Sequence, residues 1–140
     1  MDINDIGRVD VDTKTLSEIF KYLDSSQFKN NLAINTTIQS IYIEYVMVRV
    51  PIPSILIDTR LGLYSWRVLT EFDRIASLYN FYNNKFKLQG LVYVPELNNY
   101  KYTELKRNFQ RRLSETKIVL HCVHHGTSNS FLDYIIRNLR

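Results

Sequence analysis

The sequence predicts a small α+β domain, on three observations. Short segments with helical periodicity alternate with short β-rich runs. The chain has 140 residues, 45% of them hydrophobic and 23% charged, which suits one compact domain, 1–140, with a real core. Only four Gly and three Pro are present, and no repeat or low-complexity tract marks a linker.

The elements follow in order. "TKTLSEIFKYLD" sets Leu16, Ile19, Phe20 and Leu23 at i, i+3, i+4 and i+7, the apolar face of a helix. Thr15 and Glu18 have the spacing of a capping box at its start. "SSQFKNNLAINTT" is polar and loop-like, with a short strand expected around Leu32–Ile34. "IQSIYIEYVMVRVPIP" is rich in β-branched and aromatic residues, so propensity favours a strand, stopped by Pro51 and Pro53. "SILID" and "YSWRVL" read as a hairpin with Gly62 in its turn.

Thr70 is then placed to cap a helix whose first turn carries Glu71 and Asp73, charges that suit the positive end of the helix dipole. Ile75, Leu78, Tyr79 and Tyr82 continue it at helical spacing. "LQGLVYVPEL" is expected to hold a short strand ending at Pro95. "YTELKRNFQRRL" predicts a basic helix with Leu105, Phe109 and Leu113 inward, and Lys106, Arg107, Gln110 and Arg111 outward. "KIVLHCVHH" predicts a strand closed by "GTSNS". "SFLDYIIRNL" predicts a last helix with Phe131, Tyr134, Ile135 and Leu139 facing in.

Composition bounds the function. No run of about eighteen apolar residues occurs, so no membrane span or membrane partner is expected. "MDINDIGRVD" lacks the apolar segment of a signal peptide. One cysteine, Cys122, cannot form an intrachain disulfide, and the expected location is a cytoplasm. The formal net charge is +4. Residues 1–95 carry ten Lys/Arg and ten Asp/Glu, whereas residues 96–140 carry eight against four, so the excess lies in the last third. A basic third suits DNA, RNA or another polyanion, although a solvated helix face would read the same way.

Candidate chemistry is sparse. "HCVHHG" has zinc-ligand residue types, but strand alternation separates Cys122 and His124 from His121 and His125, so no metal site is expected. Cys122 with a neighbouring His makes a poor catalytic pair, because residues two apart on one strand point in parallel. The chain has no glycine-flanked serine elbow and no phosphate loop of the Gly-rich Lys-Ser/Thr type. No catalytic residue and no cofactor is therefore assigned. Lys106, Arg107, Gln110 and Arg111 are the binding candidates, with Tyr100 and Tyr102 just before them.

Ser40, Ile43, Glu44, Arg49, Pro51, Ile52 and Pro53, followed by "FKLQGL" at Phe86–Leu91, resemble the N-terminal domain of GmrSD-type restriction enzymes. The resemblance runs in patches over roughly residues 7–140. It implies a ParB/sulfiredoxin-like fold, and it makes residues 38–49 a helix against their propensity. The family signature Asp-Gly-x-Gln-Arg falls on Thr70, Glu71, Phe72, Asp73 and Arg74, so only Arg74 matches. An earlier Gln-Arg motif of the family has no counterpart in "LAINTTIQS". In the family these motifs are tied to nucleotide-dependent activity and nucleic-acid cleavage.

The resemblance thus implies a scaffold without its chemistry, with Arg74 and Asp73 as the remnant of a phosphate or nucleotide site. The leading expectation is a non-enzymatic binding protein of a phage or mobile element. It would interfere with a nuclease-based bacterial defence by binding the nuclease, a nucleoprotein complex or its nucleic-acid channel. One alternative is a divergent nucleotide- or nucleic-acid-binding domain with weak nuclease or NTPase activity. Another is an assembly protein, for which the ten Tyr and seven Phe leave room for a homodimer.

Overall fold

In a computed structural model describing residues 7–29 and 34–139, helices lie on both faces of one mixed four-stranded sheet. The strands are β1 (Val9–Thr15), β2 (Ile55–Asp58), β3 (Arg67–Val68) and β4 (Lys117–Val123). Their spatial order is β1-β4-β2-β3. β1 runs antiparallel to β4, from Val9 opposite Val123 to Thr15 opposite Lys117. β4 is parallel to β2, and β3 returns antiparallel on β2. The helices are α1 (Leu16–Tyr22), α2 (Thr36–Met47), α3 (Phe72–Tyr82), α4 (Arg107–Ser114) and α5 (Asn129–Asn138). The α+β class is as expected.

The main core packs one face of the sheet, through Ile55, Ile57, Ile118, Leu120 and Cys122, against α1–α4 with Leu16, Ile19, Ile43, Ile75, Leu78 and Leu113. Alternation along β4 sends Val123 to the opposite face, where Leu56 and Leu132 meet it. The capping box of α1 forms: Glu18 N donates to Thr15 Oγ1 and Thr15 N donates to Glu18 Oε1. Gly62 occupies the β2–β3 turn with φ +96°, a conformation that costs glycine little.

α2 is a helix over Thr36–Met47, where propensity alone favoured a strand. Asn35 caps it by accepting from Ile38 N, and α3 and α4 pack along it. Burial on two sides rewards its bulky residues whatever their intrinsic preference.

Other expectations are corrected. β1 was not anticipated at all. The strand expected in "LQGLVYVPEL" does not form. Five of its backbone donors go to side chains instead. Gln89 N donates to Ser40 Oγ, Leu91 N to Asn98 Oδ1, and Val92, Tyr93 and Val94 N all donate to Glu44 Oε2, at 2.9, 2.8 and 3.2 Å. With those N–H groups taken, no ladder can start. Thr70 does not cap α3: its Oγ1 accepts from Leu56 N, which ties the β3 exit to β2. Glu71 takes the N-cap position instead, with φ 58° and ψ 35°. On α5, Ser128 accepts from Phe131 N. That start turns Leu132, Ile135 and Ile136 to the sheet, while Tyr134 and Leu139 are 62% and 61% exposed. Of the segment Leu32–Ile34, residues 32 and 33 lie outside the described residues, and Ile34 is in a bend.

A buried ion pair joins the two layers. Asp58, at the end of β2, accepts from Arg60 N and Nε through Oδ1 and from Nη2 through Oδ2. Arg60 Nη1 continues to the Thr127 carbonyl and Asn129 Oδ1 at the start of α5. Burial pushes the Asp58 carboxyl up, but the Arg60 hydrogen bonds and charge overcome it and hold the group below its ordinary range.

Candidate binding groove

In the helix-opening segment at residues 70–74, Arg74 is engaged by its own neighbours. Arg74 Nε donates to Glu71 Oε2 at 3.1 Å, and its guanidinium lies 5.0 Å from the Tyr42 ring centroid and 6.0 Å from that of Tyr45. Only 16% of the Arg74 side chain is exposed. Asp73 is exposed on the first turn of α3, and its backbone carbonyl accepts from Ser77 Oγ. Arg74 and Asp73 are therefore adjacent, but the arginine is committed to a carboxylate and two aromatic faces.

Strand alternation separates His121 from Cys122, but β4 ends at Val123, so His124 and His125 lie beyond the strand. Cys122 is 5% exposed, and burial followed by the nearby Asp12 and Asp10 raises its thiol above the ordinary range. His124 Nε2 lies 3.2 Å from Asp10 Oδ2, and His121 is on the opposite face. Among the described residues, no three His, Cys, Asp or Glu side chains are grouped to hold a metal ion.

The predicted basic helix is real, and it splits by role. Leu105 and Leu113 are buried and Phe109 packs against the core, as expected. Gln110 is a correction: it turns inward. Its Nε2 reaches the carbonyls of Tyr102, Thr103 and Leu105, and its own carbonyl accepts from Tyr102 Oη. It fixes the turn before α4 and is not free for a partner. Lys106 and Arg107 are exposed at the start of the helix. Arg111 is exposed and pairs with Glu115 at 3.2 Å, an i, i+4 contact worth little at a surface.

Arg111 opens onto a groove of about 690 Å³ between the end of α2 and α4. Val46, Val50, Pro51 and Ile52 form its aliphatic side, and Arg49, Arg111, Arg112 and Lys117 bring four cations against the single carboxylate of Glu115. Arg112 Nη1 donates to the Met47 carbonyl at 2.9 Å, binding α4 to the C-terminus of α2. Sequence reasoning missed Arg49, Arg112 and Lys117 as members of this set. The double arginine in "QRRL" was the visible signal; Arg49 and Lys117 come from other segments.

Arg49 has an unusual backbone. The end of α2 is a Schellman turn, with Val50 N donating to the Tyr45 carbonyl and Arg49 N to the Val46 carbonyl. The residue after the C-cap is then left-handed, and Arg49 has φ 65° where glycine is usual.

Compared with protein-family models, curated proteins and solved structures, the chain finds no match. Fold and groove together define a small α+β domain with a cationic surface cleft. No helix among the described residues is long and apolar enough to cross a membrane.

Proposed function

We propose that this chain is a binding domain that acts by contact and not by catalysis. The observation that carries this reading is the engagement of Arg74 by its own neighbours. Arg74, the one residue matching the restriction-enzyme signature, is held by Glu71 and the faces of Tyr42 and Tyr45. Cys122, with its raised and buried thiol, is a poor nucleophile. The surface cleft that gathers the most cations is the groove between α2 and α4, with Arg49, Arg111, Arg112 and Lys117.

The proposed setting rests on the resemblance to GmrSD-type enzymes. A domain of that kind without its signature would interfere with a nuclease-based bacterial defence, by engaging the nuclease or its nucleoprotein complex. The test joins two measurements on the purified chain. One is turnover of nucleoside triphosphates and nucleic acids with magnesium, expected to stay at background. The other is capture of partners from bacteria carrying restriction or CRISPR-type systems, expected to recover a nuclease or nucleoprotein complex. Turnover abolished by Arg74→Ala would overturn the reading, and so would capture of neither kind of partner.

A further inference from the structure

Resting on the binding-domain reading, we infer that the groove between α2 and α4 receives the phosphate backbone of a nucleic-acid duplex, with Arg49 as a recognition residue. Two independent observations meet there. The first is the charge set: Arg49, Arg111, Arg112 and Lys117 line one cleft with Glu115 as its sole carboxylate. Guanidinium forks match phosphate oxygens, and cations brought together from three segments repel one another unless an anion lies among them.

The second is backbone strain. Left-handed backbone costs a non-glycine residue about 1–2 kcal/mol, and such strain gathers at functional sites. The chain places glycine at comparable positions, with Gly90 at φ 70° and Gly126 at φ 93°. Two of the non-glycine exceptions are Asn84 and Asn99, a residue type that tolerates this region. Of the others, Glu71 holds Arg74, and the Tyr64 ring, although 68% exposed, lies 5.8 Å from that of Tyr22. The Arg49 guanidinium has no hydrogen bond or ion pair among the described residues, and it is exposed at the groove. Its side chain is therefore free to meet a phosphate from outside the chain.

The lining selects the ligand class. Its walls are aliphatic, with no aromatic ring on which an unpaired base could stack. Nor does its lining include a buried aromatic anchor of the kind that many protein interfaces use. Cations without a stacking platform fit the regular phosphates of a duplex, read without regard to sequence. DNA and RNA duplexes share that chemistry.

The test is fluorescence anisotropy with labelled DNA and RNA duplexes of about 20 base pairs, a single strand of equal length and a poly-glutamate peptide, at about 50 and about 200 mM salt. With three to four phosphates neutralised at a slope of about 0.9 each, duplex affinity should fall roughly 40- to 150-fold between those salts. Arg49→Gly should reduce that slope by about 0.9 and weaken binding severalfold, while its melting temperature holds or rises because the strain is relieved. Arg111→Ala should weaken binding similarly. Binding to the DNA and RNA duplexes within a few-fold of each other supports backbone recognition. Tighter binding to the single strand or to the peptide overturns the duplex assignment. Duplex binding unchanged in both variants overturns the groove as the site. No duplex binding, by a protein that still captures its nuclease partner, overturns this inference and leaves the binding-domain reading intact.

Discussion

Glu44 should be among the residues whose loss the domain tolerates least, although it lies outside the groove. It is 5% exposed in the middle of α2, and one of its oxygens receives the backbone N–H groups of Val92, Tyr93 and Val94. Hydrogen bonds to a charged group contribute about 1.5–3 kcal/mol each. Val92 and Tyr93 are 74% and 78% exposed, so water reaches part of what a substitution frees, and the low end applies. Three bonds at that end, less partial rehydration, put Glu44→Ala at about 3–5 kcal/mol. Against a typical total of 5–15 kcal/mol, roughly a third of the stability or more would go. Glu44→Gln keeps an acceptor oxygen without the charge, and should cost about 2 kcal/mol. Urea unfolding gives the free energies, and amide exchange at residues 92–94 reads the three bonds directly. If both variants stay within about 0.5 kcal/mol of the parent and those amides remain protected, the account of this loop is wrong.

Other outcomes are expected. Glu71→Gly removes left-handed strain at the start of α3 and gives up one weak ion pair, for a net gain of about 0.5 kcal/mol; a lower unfolding midpoint would contradict it. The Asp58–Arg60 pair should make stability acid-sensitive. Because the folded carboxyl titrates below its ordinary range, its contribution is present above that range and lost as pH falls through the folded value. The gap between parent and Asp58→Asn, about 1.5–3 kcal/mol at neutral pH for hydrogen bonds to a charged group, should therefore narrow below about pH 4; a gap independent of pH would show that the pair is not coupled to folding. Cys122 should resist alkylation in the native protein and react readily once unfolded. Native reaction at the rate of a free thiol would place it at the surface.

How much of this was legible depended on where the partners lay. The α1 capping box and the inward Leu105 and Leu113 were visible because their determinants lie within one turn or one face. β1 carries a period-two pattern in "VDVDTKT", but Asp10, Asp12 and Lys14 make it look like a solvated tail. It is an edge strand, where such charges are at home. "LVYV" has strong strand propensity, yet a glutamate from α2 intercepts its donors. The groove was half legible: Arg111 was anticipated, whereas Arg49 and Lys117 join it only because α2 ends beside α4 and β4. Gln110 misled for the opposite reason, since a polar residue in a basic run can serve its own backbone.

The strand order carries a consequence for biosynthesis. β4 lies between β1 and β2, so the N-terminal strand has no described partner until Lys117–Val123 has left the ribosome. Until then Ile55 and Ile57 face no neighbouring β4, and α5, which covers the opposite face, has yet to be made. Pairing across such a sequence distance is slow to form and exposes apolar strands meanwhile. The sheet should therefore close late in one step, and a nascent chain stalled before residue 117 should be protease-sensitive throughout, including the segments already synthesised.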